Sequence, residues 1–182
     1  MKEPKSEKEA AVHAPQWYAV HLHSNFEAMV SEILERSLQG DSSVFYAHYF
    51  VKSTRRGKEH LIKKPLFPGY VFIKTSLAYS SKVRILSVRG VSGLVSFGGR
   101  PAAIEESVIA SLKLLTGRSG SVAPHPYIKD GTRVRVTGGP LAGATGIVLK
   151  STGRRARFII SVNILKRSVG VTIDPAFLEP DI

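Results

Sequence analysis

The sequence predicts an α+β N-terminal domain, an antiparallel sheet flanked by helices, joined by a flexible linker to a small all-β barrel. Three observations support this prediction. Within residues 16–116, some segments have apolar residues at the spacing of a strand and others at the spacing of a helix. Residues 117–127 are rich in glycine, serine and proline, which is typical of a linker between domains. Residues 128–182 contain only short, closely spaced segments with the apolar pattern of strands. Strands of this kind are best buried when they close into a small barrel.

The first 15 residues are predicted to be a disordered leader. They carry three lysines and three glutamates, show no apolar period and end in Ala14 and Pro15. They lack the apolar segment of a signal peptide. No stretch of the 182 residues approaches the roughly 18 consecutive apolar residues that a membrane span needs.

The N-terminal domain is predicted to contain three helices and several strands. Ser24 and Glu27 have the spacing of a capping box, and the apolar period that follows predicts a helix ending at Gly40. Two shorter helices are predicted at residues 79–87 and 104–115. The predicted strands are residues 16–22, 43–51, 59–64, 69–75 and 91–97, with a hairpin tip at residues 54–58.

The C-terminal domain is predicted to be all-β. Residues 132–137 alternate cleanly between apolar and basic side chains, as in a half-buried strand. The glycine-rich residues 138–143 predict a turn. Three more strands are predicted at residues 145–150, 156–164 and 168–173.

Positive charge is spread over both predicted domains. The chain has 26 basic and 14 acidic side chains, which gives a formal net charge of +12. Residues 16–116 contribute 13 basic and 7 acidic side chains, and residues 128–182 contribute 9 and 4. Such a surface favours nucleic acid or an acidic partner, although a general contribution to solubility is the open alternative.

No residue pattern in the sequence predicts catalysis, so we expect a protein that is not an enzyme and has no cofactor. The absence of cysteine excludes disulfides and thiolate chemistry, and it fits a cytoplasmic location. His21 and His23 share a strand face, but no third ligand has suitable spacing. Ser24 has no nucleophile-elbow context, and residues 98–101 lack the ending of a phosphate-binding loop.

Two motifs, in order along the chain, carry a resemblance to a known family. Trp17-Tyr18-Ala19-Val20 and the later run Leu66-Phe67-Pro68-Gly69-Tyr70-Val71-Phe72-Ile73 resemble the N-terminal domain of NusG-type transcription factors. Residues 130–148 look like the KOW motif of the same family. The resemblance covers residues 16–182, and the ordered pair is more specific than a KOW motif alone, which ribosomal proteins share.

The resemblance implies that the N-terminal domain binds the clamp helices of RNA polymerase. Alternation along residues 69–75 places Tyr70 and Phe72 on one strand face, where aromatic side chains can form an apolar depression. For the clamp contacts, the alternative is that the side chains belong to the core. For Tyr79, Ser80 and Ser81, the alternative is a helix cap with a buried tyrosine. The predicted clamp contacts are Phe67, Pro68, Tyr70 and Phe72, with Ile109 and Leu112 at the border, and a contact on the opposite pincer matches Tyr79, Ser80 and Ser81.

The hairpin at residues 52–64 is predicted to bind nucleic acid. Its cationic side chains suit phosphate contacts, which position without reading sequence. The resemblance places this hairpin near single-stranded non-template DNA; a solvated charged loop is the alternative. The predicted contacts are Lys52, Arg55, Arg56, Lys58, Lys63 and Lys64.

The KOW-like domain is predicted to recruit a second partner. In relatives this surface binds the termination factor Rho or a ribosomal protein, and Leu141 in the turn is the residue that matches. Many relatives have an aromatic residue there, which weakens the case for Rho. Arg154, Arg155 and Arg157 form a cluster that suits the same partner or nascent RNA.

We therefore expect a monomeric elongation and antitermination factor, without membrane contact, that reduces pausing or termination. Residues 96–102 and 161–169 look closer to specialised antiterminators of the RfaH and UpxY groups than to housekeeping NusG. However, the first helix is acidic and lacks the DNA-reading surface of the RfaH type. The alternative function is that of a KOW-type RNA-binding protein of ribosome assembly.

Overall fold

The computed structural model describes residues 14–38, 42–116, 123–125, 131–149, 156–162 and 165–181. Side chains are described for all of these except residues 123–125, 149, 156, 157, 161 and 162. The predicted leader therefore lies almost wholly outside the described residues, as does most of the predicted linker.

The N-terminal region contains nine strands and three helices within the residues that the structure describes. The helices are α1 (Glu27–Ser37), α2 (Tyr79–Ser87) and α3 (Glu106–Leu115). The strands are β1 (Gln16–Leu22), β2 (Ser43–Phe45), β3 (His48–Arg55), β4 (Lys58–Pro65), β5 (Tyr70–Thr75), β6 (Val91–Leu94), β7 (Ser96–Phe97), β8 (Arg100–Pro101) and β9 (Ala103–Ile104).

The main N-terminal sheet is antiparallel and is covered on both faces. Its strand order is β2-β5-β1-β6, and β9 pairs with the start of β1. Successive side chains of a strand point to opposite faces. Along β1, Tyr18 and Val20 therefore pack with α1 and α2, whereas Trp17 and Ala19 pack with α3. This layering confirms a mixed α/β region with three helices and antiparallel strands.

The first helix does not begin with the predicted capping box. The residue that precedes α1 is Phe26, and no side chain caps the helix. The Glu27 carboxylate instead accepts a hydrogen bond from the amide of Gly69, at 2.7 Å, and is only 5% exposed. Gly69 has φ of +83°, a conformation that favours glycine. The capping-box prediction was wrong because the carboxylate has a partner 42 residues away along the chain.

The predicted strand at residues 43–51 is divided between two sheets. Residues of β2 pair with β5 in the main sheet, whereas β3 pairs only with β4 to form a separate two-stranded hairpin. Tyr46 and Ala47 lie between them. The hairpin itself follows the prediction, with a tip at Arg56 and Gly57.

Helix α3 is fixed to the sheet by a polar cluster at its first turn. Glu106 accepts hydrogen bonds from the Trp17 indole, at 3.0 Å, and from the Lys74 ammonium, at 2.7 Å. Lys113, two turns later, lies over the Trp17 ring at 4.7 Å. The hydrogen bonds from Lys74 and then Trp17 lower the pKa of Glu106.

The described residues of the C-terminal region form an antiparallel sheet of six strands. The order is β10-β14-β13-β12-β11-β15, and a 3-10 turn, Gly139–Leu141, lies between β11 and β12. Strand β10 lies within the predicted linker and pairs with β14, so part of that segment is ordered against the sheet. Closure into a barrel stays a prediction. The strands are β10 (Ala123–His125), β11 (Thr132–Val136), β12 (Thr145–Leu149), β13 (Ala156–Val162), β14 (Arg167–Ile173) and β15 (Leu178–Pro180).

Candidate functional site

The candidate clamp-binding residues surround the turn that leads into β5, and only some of them reach the surface. Phe67 and Phe72 are buried and their rings meet edge to face, at 5.6 Å between centroids. Phe72 also stacks on Phe45. Pro68 is exposed and Tyr70 is half-buried. The alternation along β5 was predicted correctly, but because both faces of this central strand are covered, Phe72 is a core residue.

Helix α3 lies between the main N-terminal sheet and the C-terminal sheet. Ile109 and Leu112 are fully buried in a cluster that continues into the C-terminal strands. Ser111 is 1% exposed, and its hydroxyl oxygen accepts a hydrogen bond from the Thr145 amide of β12 at 2.9 Å. The helix is therefore buried on two sides, and the expectation that Ile109 and Leu112 border an open depression is corrected: their positions are covered.

Arg167 of β14 reaches across to the candidate surface. Its guanidinium donates a hydrogen bond to the Pro68 carbonyl at 2.9 Å and lies over the Tyr70 ring at 5.0 Å from the centroid. A guanidinium over an aromatic face is attracted by the electrons of the ring. Arg167 thus lies over the Tyr70 ring and holds the Pro68 carbonyl, while Pro68 itself stays exposed. Sequence reasoning missed this contact because Arg167 is 99 residues from Pro68.

The second candidate contact lies at the beginning of α2 and is open. Tyr79 is 83% exposed, Ser80 is exposed and Ser81 is half-buried. No side chain caps this helix. Val83 and Leu86 continue an exposed apolar row from Tyr79 along the helix. The alternative of a buried tyrosine is therefore wrong for Tyr79.

The basic hairpin projects its charges into solvent. The cationic side chains predicted to bind nucleic acid are all exposed, and only Lys52 has a carboxylate partner within the described part of the chain, Glu59 at 3.3 Å. Near the tip, Arg55, Arg56, Lys58 and His60 line one concave surface of about 480 Å³. Three cationic side chains and one histidine therefore surround this concavity, and its lining contains no carboxylate, which makes the local potential positive.

Aromatic side chains support the base of the hairpin. The rings of Tyr46, His48 and Phe50 follow one another at 5.3 and 5.4 Å, and the Lys63 ammonium lies over Tyr46 at 4.9 Å. Burial, followed by the charge of Glu27, raises the pKa of Tyr46 to about 12. Burial lowers the pKa of His48. The base of the hairpin is therefore half-buried, whereas its tip is exposed.

The predicted partner-binding turn of the C-terminal domain is only partly displayed. Pro140 is exposed, but Leu141 is 6% exposed and belongs to the cluster shared with α3. The expectation that Leu141 is displayed is thus corrected, because the 3-10 turn packs against that helix. Arg154 and Arg155 lie outside the described residues, and the side chain of Arg157 is not described.

Neither a metal-ligand cluster nor a membrane-spanning helix is present among the residues that the structure covers. No group of three or more histidine, aspartate or glutamate side chains has the geometry of a metal site in this part of the chain. None of the described helices is long and apolar enough to cross a membrane. The candidate surfaces are an aromatic turn, an open helix start and a basic hairpin.

Comparisons with known proteins agree with this arrangement. Residues 15–113 match the sequence model of a family described as "Transcription termination factor nusG". This match covers the main N-terminal sheet, the basic hairpin, α1, α2 and all but the last two residues of α3, and it includes every candidate polymerase contact and hairpin cation.

Individual relatives cover both regions of the chain. A protein of Thermus thermophilus named transcription termination/antitermination protein NusG is 27% identical, over 87% of this chain and 95% of its own length. A protein of the same name from Neisseria meningitidis is 29% identical, over 90% and 97%. The solved structure "Domain interaction in Thermotoga maritima NusG" is similar in fold, with a TM-score of 0.54, 19% identity and coverage of 92% of this chain and 98% of that one.

Proposed function

Since this chain belongs to the NusG family of transcription factors, we propose that residues 16–116 bind the clamp helices of RNA polymerase. A protein that bridges the clamp opposes its opening and thereby reduces pausing or termination. The observation that carries the proposal is the aromatic turn at Pro68 and Tyr70, together with the open aromatic start of α2 at Tyr79. Tyrosine is enriched among residues that dominate binding energy at interfaces.

The two candidate contacts differ in accessibility. Tyr79 and Ser80 are exposed and Ser81 is half-buried, whereas Arg167 lies over the Tyr70 ring. The C-terminal sheet covers the outer side of α3. Clamp binding at the aromatic turn therefore requires the C-terminal sheet to move away from α3. Only the fraction of molecules in which the two regions are apart can then bind through this turn. The apparent polymerase affinity of the full chain is lower than that of the open form in proportion to this fraction.

The same movement would free the partner surface of the C-terminal domain. Leu141 packs in the cluster that also contains Ile109 and Leu112, so separation exposes all three. Residues 128–182 are proposed to act as a KOW-type domain that then recruits Rho or a ribosomal protein through Leu141. Arg154, Arg155 and Arg157 contribute positive charge toward that partner or toward nascent RNA.

The basic hairpin is proposed to contact the phosphates of non-template DNA. Its exposed cations and the positively charged concavity at its tip support this role. Contacts of this kind increase affinity without selecting a sequence. The acidic side chains of α1, Glu32 and Glu35, do not extend this basic surface.

A specialised antiterminator is our proposal for the cellular role, acting in the cytoplasm as a monomer. Residues 96–102 and 161–169 support it by their resemblance to the RfaH and UpxY groups. The relatives described above carry the general name NusG, which supports the broader role in termination and antitermination.

We predict that Tyr70→Ala lowers the affinity of the full chain for purified RNA polymerase by about tenfold or more, as for a central aromatic contact. Tyr70→Phe is the matched control, because it keeps the ring. Removing the ring also removes the aromatic partner of Arg167, which by itself would loosen the domain contact and raise the affinity. Pull-down with both variants, after circular dichroism has confirmed folding, measures the effect. Because these two effects oppose each other in the full chain, the same two variants are also compared in residues 16–116, which lack Arg167. Unchanged binding by Tyr70→Ala in that segment would exclude the aromatic turn from the interface.

The second candidate function is that of an RNA-binding protein of ribosome assembly. The net charge of +12 and the KOW-like motif favour it. Phosphate contacts weaken steeply as the salt concentration rises. Co-sedimentation with ribosomes that persists at moderate salt, in the absence of polymerase binding, would favour this function over the first.

A further inference from the structure

A cleft of about 760 Å³ lies between the two regions of the chain, apart from the basic hairpin and the aromatic turn. One wall consists of residues from β7 to the first turn of α3, and the other of residues from β11, β12 and β13 together with Lys166 and Asp181. Its volume falls in the range of about 300–1,000 Å³ that is typical of small-ligand sites. The function proposed above does not use this cleft.

The N-terminal wall presents an exposed aromatic ring on a tight hairpin. Phe97 is 86% exposed, the largest exposure among the large apolar side chains of the described residues. It pairs with Arg100 across a two-residue loop in which Gly98 and Gly99 both have positive φ, of 57° and 75°. Such a loop matches the twist of the flanking strands and defines the position of Phe97 in the backbone. The same wall includes the exposed carboxylate of Glu105.

The C-terminal wall is cationic. Arg133 and Arg135 are two residues apart on β11 and therefore share a face, opposite the buried Val134 and Val136. Two nitrogens of Arg135 donate to the Asp181 carboxylate, at 3.0 and 3.2 Å, which orients this guanidinium. Arg133 has no carboxylate within ion-pair distance in the described part of the chain. Lys166 also lines this wall.

The division of chemistry between the walls indicates what the cleft can bind. An exposed aromatic ring stacks favourably on a nucleobase, whatever the base. A carboxylate accepts hydrogen bonds from the exocyclic amino group of a base such as cytosine. Guanidinium groups bind phosphate through several parallel hydrogen bonds. A ligand with an aromatic base at one end and a phosphate at the other matches both walls.

We propose that this cleft binds a nucleotide unit, with its base stacked on Phe97 and its phosphate at Arg133. The unit belongs either to a single strand of nucleic acid or to a free nucleotide, since both offer the same chemistry. The two walls come from different regions of the chain, so a bound ligand stabilises their contact. This proposal requires only that the two regions touch, and it stands whether or not the aromatic turn binds polymerase.

Photo-crosslinking of the full chain tests the proposal. The probe is a short oligocytidylate in which one base is iodocytidine, because iodinated bases crosslink to aromatic side chains stacked on them. The chain carries Arg55→Gln, Arg56→Gln and Lys58→Gln, so that the hairpin does not dominate binding. We expect the crosslinked peptide, identified by mass spectrometry, to contain Phe97.

Affinity measurements with the same probe complete the test. Phe97→Ala and Arg133→Gln should each weaken binding by about fivefold or more, the lower limit for a lost stacked base or ionic contact. Arg89→Gln, an exposed charge outside the cleft, should leave it unchanged. Competition by cytidine triphosphate at similar concentration would assign the site to free nucleotides, and failure to compete would assign it to strands. Crosslinks elsewhere, no binding, or unchanged affinity in both cleft variants would overturn the proposal.

Discussion

Replacing Ser111 by glutamate is expected to raise the affinity of the full chain for RNA polymerase by about tenfold or more, because it separates the two regions of the chain. Ser111 is 1% exposed, and its hydroxyl accepts the Thr145 amide across the contact. A carboxylate at this position would be buried with a backbone amide but no cation among the partners of residue 111, and burial of a charge that is not paired costs several kcal/mol. Separation relieves that cost, since the outer side of α3 is then in water.

The neighbouring substitution Ala110→Glu is the matched control for Ser111→Glu. Ala110 is exposed on the same helix, so its replacement adds the same charge without disturbing the contact. Polymerase affinity, measured by titration of labelled protein, should rise for Ser111→Glu and stay unchanged for Ala110→Glu. An equal affinity for both variants and the original chain would show that contact with the C-terminal sheet does not limit polymerase binding.

Neutralising the tip of the basic hairpin is expected to weaken binding to single-stranded DNA by about tenfold or more at physiological salt. The change is Arg55→Gln, Arg56→Gln and Lys58→Gln together, which removes three of the side chains that line the concave surface. Each lost phosphate contact should also reduce the slope of log affinity against log salt by about 0.7, so that the total reduction is about 2.

An equivalent loss of charge elsewhere is the control for the hairpin. Lys82, Arg84 and Arg89 are exposed on and after α2, and their replacement by glutamine removes the same charge. Fluorescence anisotropy over a series of salt concentrations compares the two triple variants. If both lower the affinity and the slope equally, DNA responds to the net charge of the chain and the hairpin has no special role.

The sequence predicted those elements whose signals are local. Helix α2 has the predicted bounds, and β1 and the hairpin formed by β3 and β4 lie where their apolar periods and turn residues place them. The start of α1 was predicted wrongly because Glu27 is satisfied by Gly69, whose position depends on the tertiary structure. The division of residues 43–51 between two sheets likewise depends on which strands are available for pairing.

The candidate surfaces were predictable in composition but not in exposure. The aromatic period of β5 indicated where a depression could form, but it did not show that α3 and Phe45 cover Phe72. The hairpin cations were predicted to be exposed, and in the structure they are exposed. No local signal identifies Arg167 or Ser111, since both act through contacts between the two regions. Phe97 had a detectable signal, because an aromatic residue before two glycines and an arginine suggests a displayed hairpin tip.

The most direct test of the central claim compares polymerase binding by residues 16–116 alone with binding by the full chain, after circular dichroism has confirmed that both are folded. If the N-terminal domain is the polymerase module and the C-terminal sheet covers part of its surface, the isolated segment binds, and it binds more tightly than the full chain. If the folded segment does not bind while the full chain does, or if neither binds, the aromatic turn and the start of α2 are not the polymerase-binding surface.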